Sequence, residues 1–144
     1  MSNKKILISA FSKKDHVLEV ASRFSAIADS LHLTLRGLTN EKEVSAQKAY
    51  ALITEEYGLR TRLAILKGDS ENRLVLGVKE DQETFILLLI EVENLIKQMT
   101  SIDEIAYLIN SISVLCIAIF PGKAATLDFL ISSLKYDLRR LSKK

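Results

Sequence analysis

The chain has 144 residues, of which 48% are apolar and 26% are charged, and its twenty basic and eighteen acidic residues leave a formal net charge of only +2. This length is enough for a single domain, residues 1–144, with a core of its own, and the apolar content excludes an intrinsically disordered chain. The small net charge gives no reason to expect a nucleic-acid partner. The uncharged run at Ile6–Phe11 is too short for a signal peptide, so we expect a cytoplasmic protein.

Residues that break regular structure are few and fall at informative places. Five glycines and one proline are fewer than an average chain of this length contains, which predicts a small number of long elements. Gly37, Gly68, the pair 100–101 and Pro121–Gly122 divide the chain into five segments.

All five segments repeat apolar residues at intervals of three and four. In chain order, these are Leu7, Ala10, Val17, Ala21, Phe24, Ala28 and Leu31; Ala49, Leu52, Leu59, Leu63 and Leu66; Val75, Val78, Phe85, Leu89, Val92, Ile96 and Met99; Ile102, Ile105, Ile109, Ile112, Cys116 and Ile119; and Leu127, Ile131, Leu134, Leu138 and Leu141. Only Lys14, Glu56 and Gln82 interrupt the pattern. This spacing returns to one face of an α-helix, so each segment predicts an amphipathic helix.

The predicted fold is therefore all-α, a single-domain antiparallel bundle of about five helices in which sequential helices are neighbours. Capping patterns support it, with Asn40 before Glu43 and Ser101 before Glu104. Short apolar runs also fit strands, so an α+β alternative stays open, with strands near 4–10, 61–67, 73–78 and 112–119 and a hairpin across 62–78.

The stretch 105–122 has no charged side chain and permits three interpretations. It reaches the lower length limit for crossing a bilayer, but Asn110, Ser111 and Ser113 make it too polar for that, and we expect no membrane span. A phosphate-binding loop at "FPGK" would need Ser or Thr after Lys123, where the chain has alanine. A central helix enclosed by its partners is the favoured interpretation.

The residues that usually hold a metal or form a disulfide do not occur in suitable patterns. Cys116 is the only cysteine, and its apolar neighbours are typical of a small buried side chain. His16 and His32 are the only histidines, and on one helix they would stand about 24 Å apart, too far to share an ion. We therefore expect no metal and no other cofactor.

Residues 32–38 read HLTLRGL. The segment resembles the H-x-L-K-G pattern of helical phosphotransfer domains, with Arg36 and Gly37 each one position further along. The resemblance implies that His32 is a phosphoacceptor.

The excess of apolar residues and the lack of catalytic motifs predict a protein–protein interaction or oligomerisation module with no catalytic activity of its own. Its partner would be itself, as a homo-oligomer, or another protein's helix, bound along an apolar stripe. The residues predicted to form this interaction face are Phe85, Leu88, Leu89 and Val92, or the face around Ile112 and Ile119. Alternatives are a sensor with a pocket for an apolar ligand and, from the resemblance above, a histidine phosphotransfer protein.

Overall fold

A computed structural model describes residues 8–40 and 45–142, with the side chains of residues 39 and 40 left out. The α-helices are α1 (Lys14–Asn40), α2 (Ala46–Gly68), α3 (Gln82–Gln98), α4 (Ile102–Ile119) and α5 (Ala124–Ser142), and a short 3-10 helix covers Ser70–Asn72. No strand is present in these residues, and the helices pack around one apolar core. The prediction of an all-α single domain of five helices is confirmed.

The strands of the α+β alternative are wrong wherever the structure describes them. Residues 61–67 belong to α2 and residues 112–119 to α4, while 73–78 has no regular secondary structure. Of the run 4–10, residues 4–7 lie outside the described part, and Ser9 makes only an isolated antiparallel bridge to Asp81.

The five helices form a ring. Helix α1 packs against α2 and α3, α2 also against α4, α4 against α5, and α5 against α3, which closes the circle. Side chains directed into the ring supply the core, so each helix buries one stripe and exposes the opposite face.

Two sets of contacts give the helix directions. In the first set, His32 of α1 contacts Glu56 of α2, and Asp29, one turn before His32, contacts Arg60, one turn after Glu56. Helices α1 and α2 are therefore antiparallel. Helices α1 and α3 run in the same direction, because Gln82 at the start of α3 bonds to the first turns of α1 and Ile96 accepts from Thr34 further on.

The expectation that all sequential helices are neighbours is wrong for α2 and α3, which share no extensive contact in the described residues. The reason is the connection 69–81, which crosses the end of the bundle and delivers α3 to the far side of α1. A connection of that length does not force its two helices together, as a short turn does.

We call residues 73–80 of this connection the strap. Val75 and Val78 are buried, and the Val75 amide donates to the Phe11 carbonyl at 3.0 Å. The amides of Lys79 and Glu80 donate to the Asp128 carboxylate at 3.0 and 3.3 Å. The prediction that Val75 and Val78 continue the third helix is therefore wrong: their spacing of three matches a helix only by coincidence.

Helix α3 begins instead where a cap is available. The Asp81 carboxylate accepts the Thr84 amide at 3.1 Å, which satisfies one of the donors left unpaired at a helix start. Gln82, which interrupts the apolar pattern, is buried in this first turn. Its carboxamide accepts from the Phe11 amide, before α1, and donates to the His16 carbonyl in the first turn of α1.

The start of the chain also departs from the predicted helix. Ala10 and Phe11 are fully buried but precede α1, which begins only at Lys14. Phe11 has a φ of 65°, a left-handed conformation that does not occur within a right-handed α-helix. Its ring packs against Phe85 with centroids 5.4 Å apart, so apolar burial occurs here in a turn.

Of the two predicted caps, one is confirmed. The Ser101 hydroxyl accepts the Glu104 amide at 3.3 Å at the start of α4. The cap at Asn40 is wrong, because α1 continues through Asn40 and Ser45 caps α2 instead, accepting from the Lys48 amide at 3.2 Å. Glu43 lies outside the described residues.

Helix α4 holds most of the uncharged stretch. Among the described residues it is the one helix long and apolar enough to cross a membrane, and half of its residues are buried inside the protein. It packs between α2 and α5. The absence of a membrane span stays a prediction, and the helix has the burial that a core helix needs.

Candidate functional site

The side chains predicted to form an interaction face lie in the core. Each is less than a tenth exposed, and they are Phe85, Leu88, Leu89, Val92, Ile112 and Ile119. As folded, these side chains hold α3 and α4 to the rest of the bundle. A contact between proteins through them stays a prediction, because a partner could reach them only if the helices parted, except at Leu88, which also lines a surface groove.

A groove runs between α3 and α5, and Leu88 is one of the residues that line it. It has a volume of about 590 Å³, and its lining residues are Thr84, Leu87, Leu88, Glu91, Lys135, Leu138, Arg139 and Ser142. Leu88 and Leu138 are buried and form an apolar floor, whereas Leu87 stands on the α3 rim with 55% of its surface exposed.

The rims of this groove carry opposite charges. Glu91 lies on the α3 side, and Lys135 and Arg139 lie on the α5 side. The Lys135 ammonium is bonded to Glu80 at 2.6 Å, so its charge is already matched. Glu91 and Arg139 take part in no ion pair with the residues that the structure describes. An acidic and a basic group therefore face solvent on opposite sides of an apolar channel.

Sequence reasoning missed this surface because it followed only the stripe that faces the core. Leu87 occurs in "TFILLLIE", where apolar residues exceed what one helix face can bury. Such an excess is the signal of a second apolar face. It gives no sign of which helix lies alongside.

His32, the predicted phosphoacceptor, lies at the junction of α1 and α2. Its Nδ1 is 3.2 Å from Oε1 of Glu56, and its side chain is 55% exposed. Glu56 is buried and also accepts from Nε of Arg60 at 2.8 Å. These two contacts explain why a carboxylate interrupts the apolar stripe of α2: the buried charge has partners on both sides.

The second histidine differs in its environment. Nδ1 of His16 lies 3.3 Å from the Ser12 hydroxyl, and the ring is half-buried. No group of three His, Cys, Asp or Glu side chains in the described ranges has the geometry to hold a metal ion. That the protein uses no metal stays a prediction.

Cys116 is buried in α4, as the sequence predicts for a small apolar side chain. Burial raises the pKa of its thiol to about 11, and the nearby Arg62 opposes this only in part. The thiolate is the reactive form of cysteine, so the side chain is chemically inert at neutral pH.

A smaller groove of about 260 Å³ lies between α2 and α4, and its apolar residues are Ala51, Leu52, Ile102 and Ala106. It is the counterpart of the pocket that an apolar-ligand sensor needs. Its volume is below the range usual for sites that enclose a drug-sized molecule.

Comparison of the chain with known proteins found no matching family model, no matching curated protein and no matching solved structure.

Proposed function

We propose that this chain is a self-association module whose docking surface is the groove between α3 and α5, and that the groove takes the α3 rim of a second copy. The observation that supports this is the exposed Leu87 beside a channel with an apolar floor. Fully burying a leucine side chain contributes roughly 1.5–3 kcal/mol, and helix-in-groove contacts use such anchors.

Charge supports a second copy over an unrelated helix. The groove has one acidic rim and one basic rim, so the same surface offers both signs that a partner would need. A surface of this kind is complementary to itself, which is the condition for a symmetric contact between identical chains.

The experiment is sedimentation equilibrium of the wild-type protein and of Leu87→Glu over a wide concentration range. The wild type is expected to associate, and the variant to stay monomeric, because a carboxylate would be buried against Leu88 and Leu138 of the second copy. Leu76→Glu is the matched control: this strap leucine is 75% exposed and lines none of the grooves described above, so the variant should associate like the wild type. A wild type that is monomeric at its highest soluble concentration would refute the proposal.

A second function, phosphoryl transfer at His32, is favoured by one contact. With the Nδ1 proton donated to Glu56, the Nε2 lone pair of the exposed ring faces solvent. Attack by Nε2 on a phosphoryl donor forms a P–N bond, the donor's leaving group departs with the electrons of the broken bond, and Glu56 stabilises the resulting positive charge on the ring.

The test is reaction with phosphoramidate, followed by mass spectrometry and phosphorus NMR. His32 should be phosphorylated at Nε2 and faster than His16, which serves as the internal control because its Nδ1 contacts only a neutral hydroxyl. Glu56→Gln should slow the reaction at His32 alone. Equal labelling of both histidines, or labelling of His32 at Nδ1, would count against this function.

A further inference from the structure

We infer that the self-associated form is a closed dimer whose two-fold axis runs along the α3/α5 groove, so that α3 of each copy lies over α5 of the other and Glu91 pairs with Arg139 of the second copy. This inference rests on the proposed function and adds the stoichiometry, the geometry and the residues that set specificity.

The charges on the rims decide between two symmetric arrangements. Two identical grooves can face each other with the two-fold axis either along the groove or across it. An axis across the groove places α3 over α3 and α5 over α5 in opposite directions, so Glu91 meets only groove residues of α3, none of them basic, and Arg139 meets only groove residues of α5, none of them acidic. An axis along the groove places α3 over α5, and each Glu91 can then meet an Arg139. The second arrangement is selected because it alone pairs opposite charges of the groove.

The pairing state of each charge within one chain supports this choice. Lys135 already bonds to Glu80, and Glu93 on the opposite side of α3 already bonds to Arg23 at 2.7 Å. Glu91 and Arg139 are on opposite rims of one groove and form no ion pair within the described residues. Among the charged residues that line the groove, they are the two without an ion pair to another described residue, and they can therefore pair between chains.

Symmetry then limits the assembly to two copies. The same groove serves as donor and acceptor of the contact, and after two chains have met, neither has an unused copy of that surface. The assembly is therefore a dimer and does not extend into larger rings or filaments.

The helices that meet would run in the same direction. Asp128 near the start of α5 bonds to the amides just before α3, and the later residues of α5 line the groove beside residues 84–91, so α5 runs in the same direction as α3. A two-fold axis along the groove preserves that direction, so the C-terminal half of α3 faces the C-terminal half of α5 in the other copy. Glu91 and Arg139 lie in these C-terminal halves.

Charge reversal tests the arrangement on the full chain. Glu91→Arg and Arg139→Glu should each raise the dimer dissociation constant by roughly tenfold or more, since each places two like-charge contacts in the interface. The double variant restores opposite charges and should return to within about threefold of the wild type. Glu71→Arg makes the same change in net charge as Glu91→Arg at an exposed site on the 3-10 helix and should have no effect.

Mixing and salt provide independent readouts. An equimolar mixture of the two single variants should form a heterodimer, while each alone is weak. Added salt should weaken the wild-type dimer and strengthen the single variants, because screening reduces attraction and repulsion alike.

The outcomes separate this inference from the proposed function. A wild type that never dimerises refutes both. If Leu87→Glu is monomeric but both charge-reversal variants dimerise like the wild type, the axis along the groove is refuted and self-association stands. Assemblies larger than two in the wild type refute the closed dimer.

Discussion

Gln82 joins the segment before α1 to the start of α3, and its truncation should destabilise the protein. Its Oε1 accepts the Phe11 amide at 3.2 Å, and its Nε2 donates to the His16 carbonyl at 3.1 Å and to Glu19 at 2.8 Å. The residue is buried, so alanine at this position leaves the Phe11 amide without a partner away from water.

The size of the effect follows from these contacts. A net hydrogen bond contributes about 0.5–1.5 kcal/mol, and an unsatisfied buried donor costs about 1–3 kcal/mol. We expect Gln82→Ala to lower the free energy of unfolding by about 2–4 kcal/mol, which for a chain of this size corresponds to a fall in Tm of roughly 6–12 °C.

Urea unfolding followed by circular dichroism measures this change, and using the same protein concentration for every variant holds the contribution of association constant. Gln98→Ala is the control, because Gln98 is exposed at the end of the same helix; its effect should stay within about 0.5 kcal/mol. If Gln82→Ala also fell within that range, the idea that Gln82 holds the segment before α1 in place would be refuted.

The other predictions concern backbone conformation, thiol ionisation and the strap. Gly122 has a φ of 70°, so Gly122→Ala should destabilise the protein by about 1–2 kcal/mol. Gly37 lies inside α1 with open space around it, so Gly37→Ala should stabilise the protein by about 0.5–1 kcal/mol. Thermal unfolding of both variants checks the two signs. The Cys116 pKa is raised from 9.0 to about 11, so its contribution to stability is complete below pH 9 and is lost as pH rises towards 11. The fall in stability over that pH range should be smaller in Cys116→Ala. Asp128→Ala removes the acceptor for two strap amides and should speed hydrogen exchange in residues 73–80 while leaving α1 protected; equal exchange in both proteins would contradict this.

The helical core could be predicted from the sequence because burial in a helix leaves a periodic trace. Positions such as Leu89 and Ile109 repeat at three and four and are fully buried. Val75 and Val78 show the limit of that signal, since two buried residues three apart fit a helix and an irregular segment equally well. What fixes the strap is its contact with Phe11 and Asp128, which are distant in the sequence.

The candidate site was less predictable than the core. The sequence predicts the apolar stripe of α3, but the stripe faces inward, and the surface that we propose as a docking site begins one position away at Leu87. Which side of a helix meets its neighbours depends on the ring order of the helices, and the period of one helix holds no information on that order. The partner of His32 was equally hidden, because Glu56 lies on another helix.

The pairing of residues 8–11 with the strap and the start of α3 has a consequence for how the chain folds during synthesis. The Ala10 amide donates to the Glu80 carbonyl and the Gln82 amide to the Ile8 carbonyl, so these two contacts close a loop of about seventy residues. A nascent chain can form the α1–α2 hairpin early, but Phe11 stays exposed until α3 leaves the ribosome. Over that interval the growing chain presents an uncovered aromatic ring, and chaperone binding to ribosome-bound chains should end once the first turns of α3 have emerged.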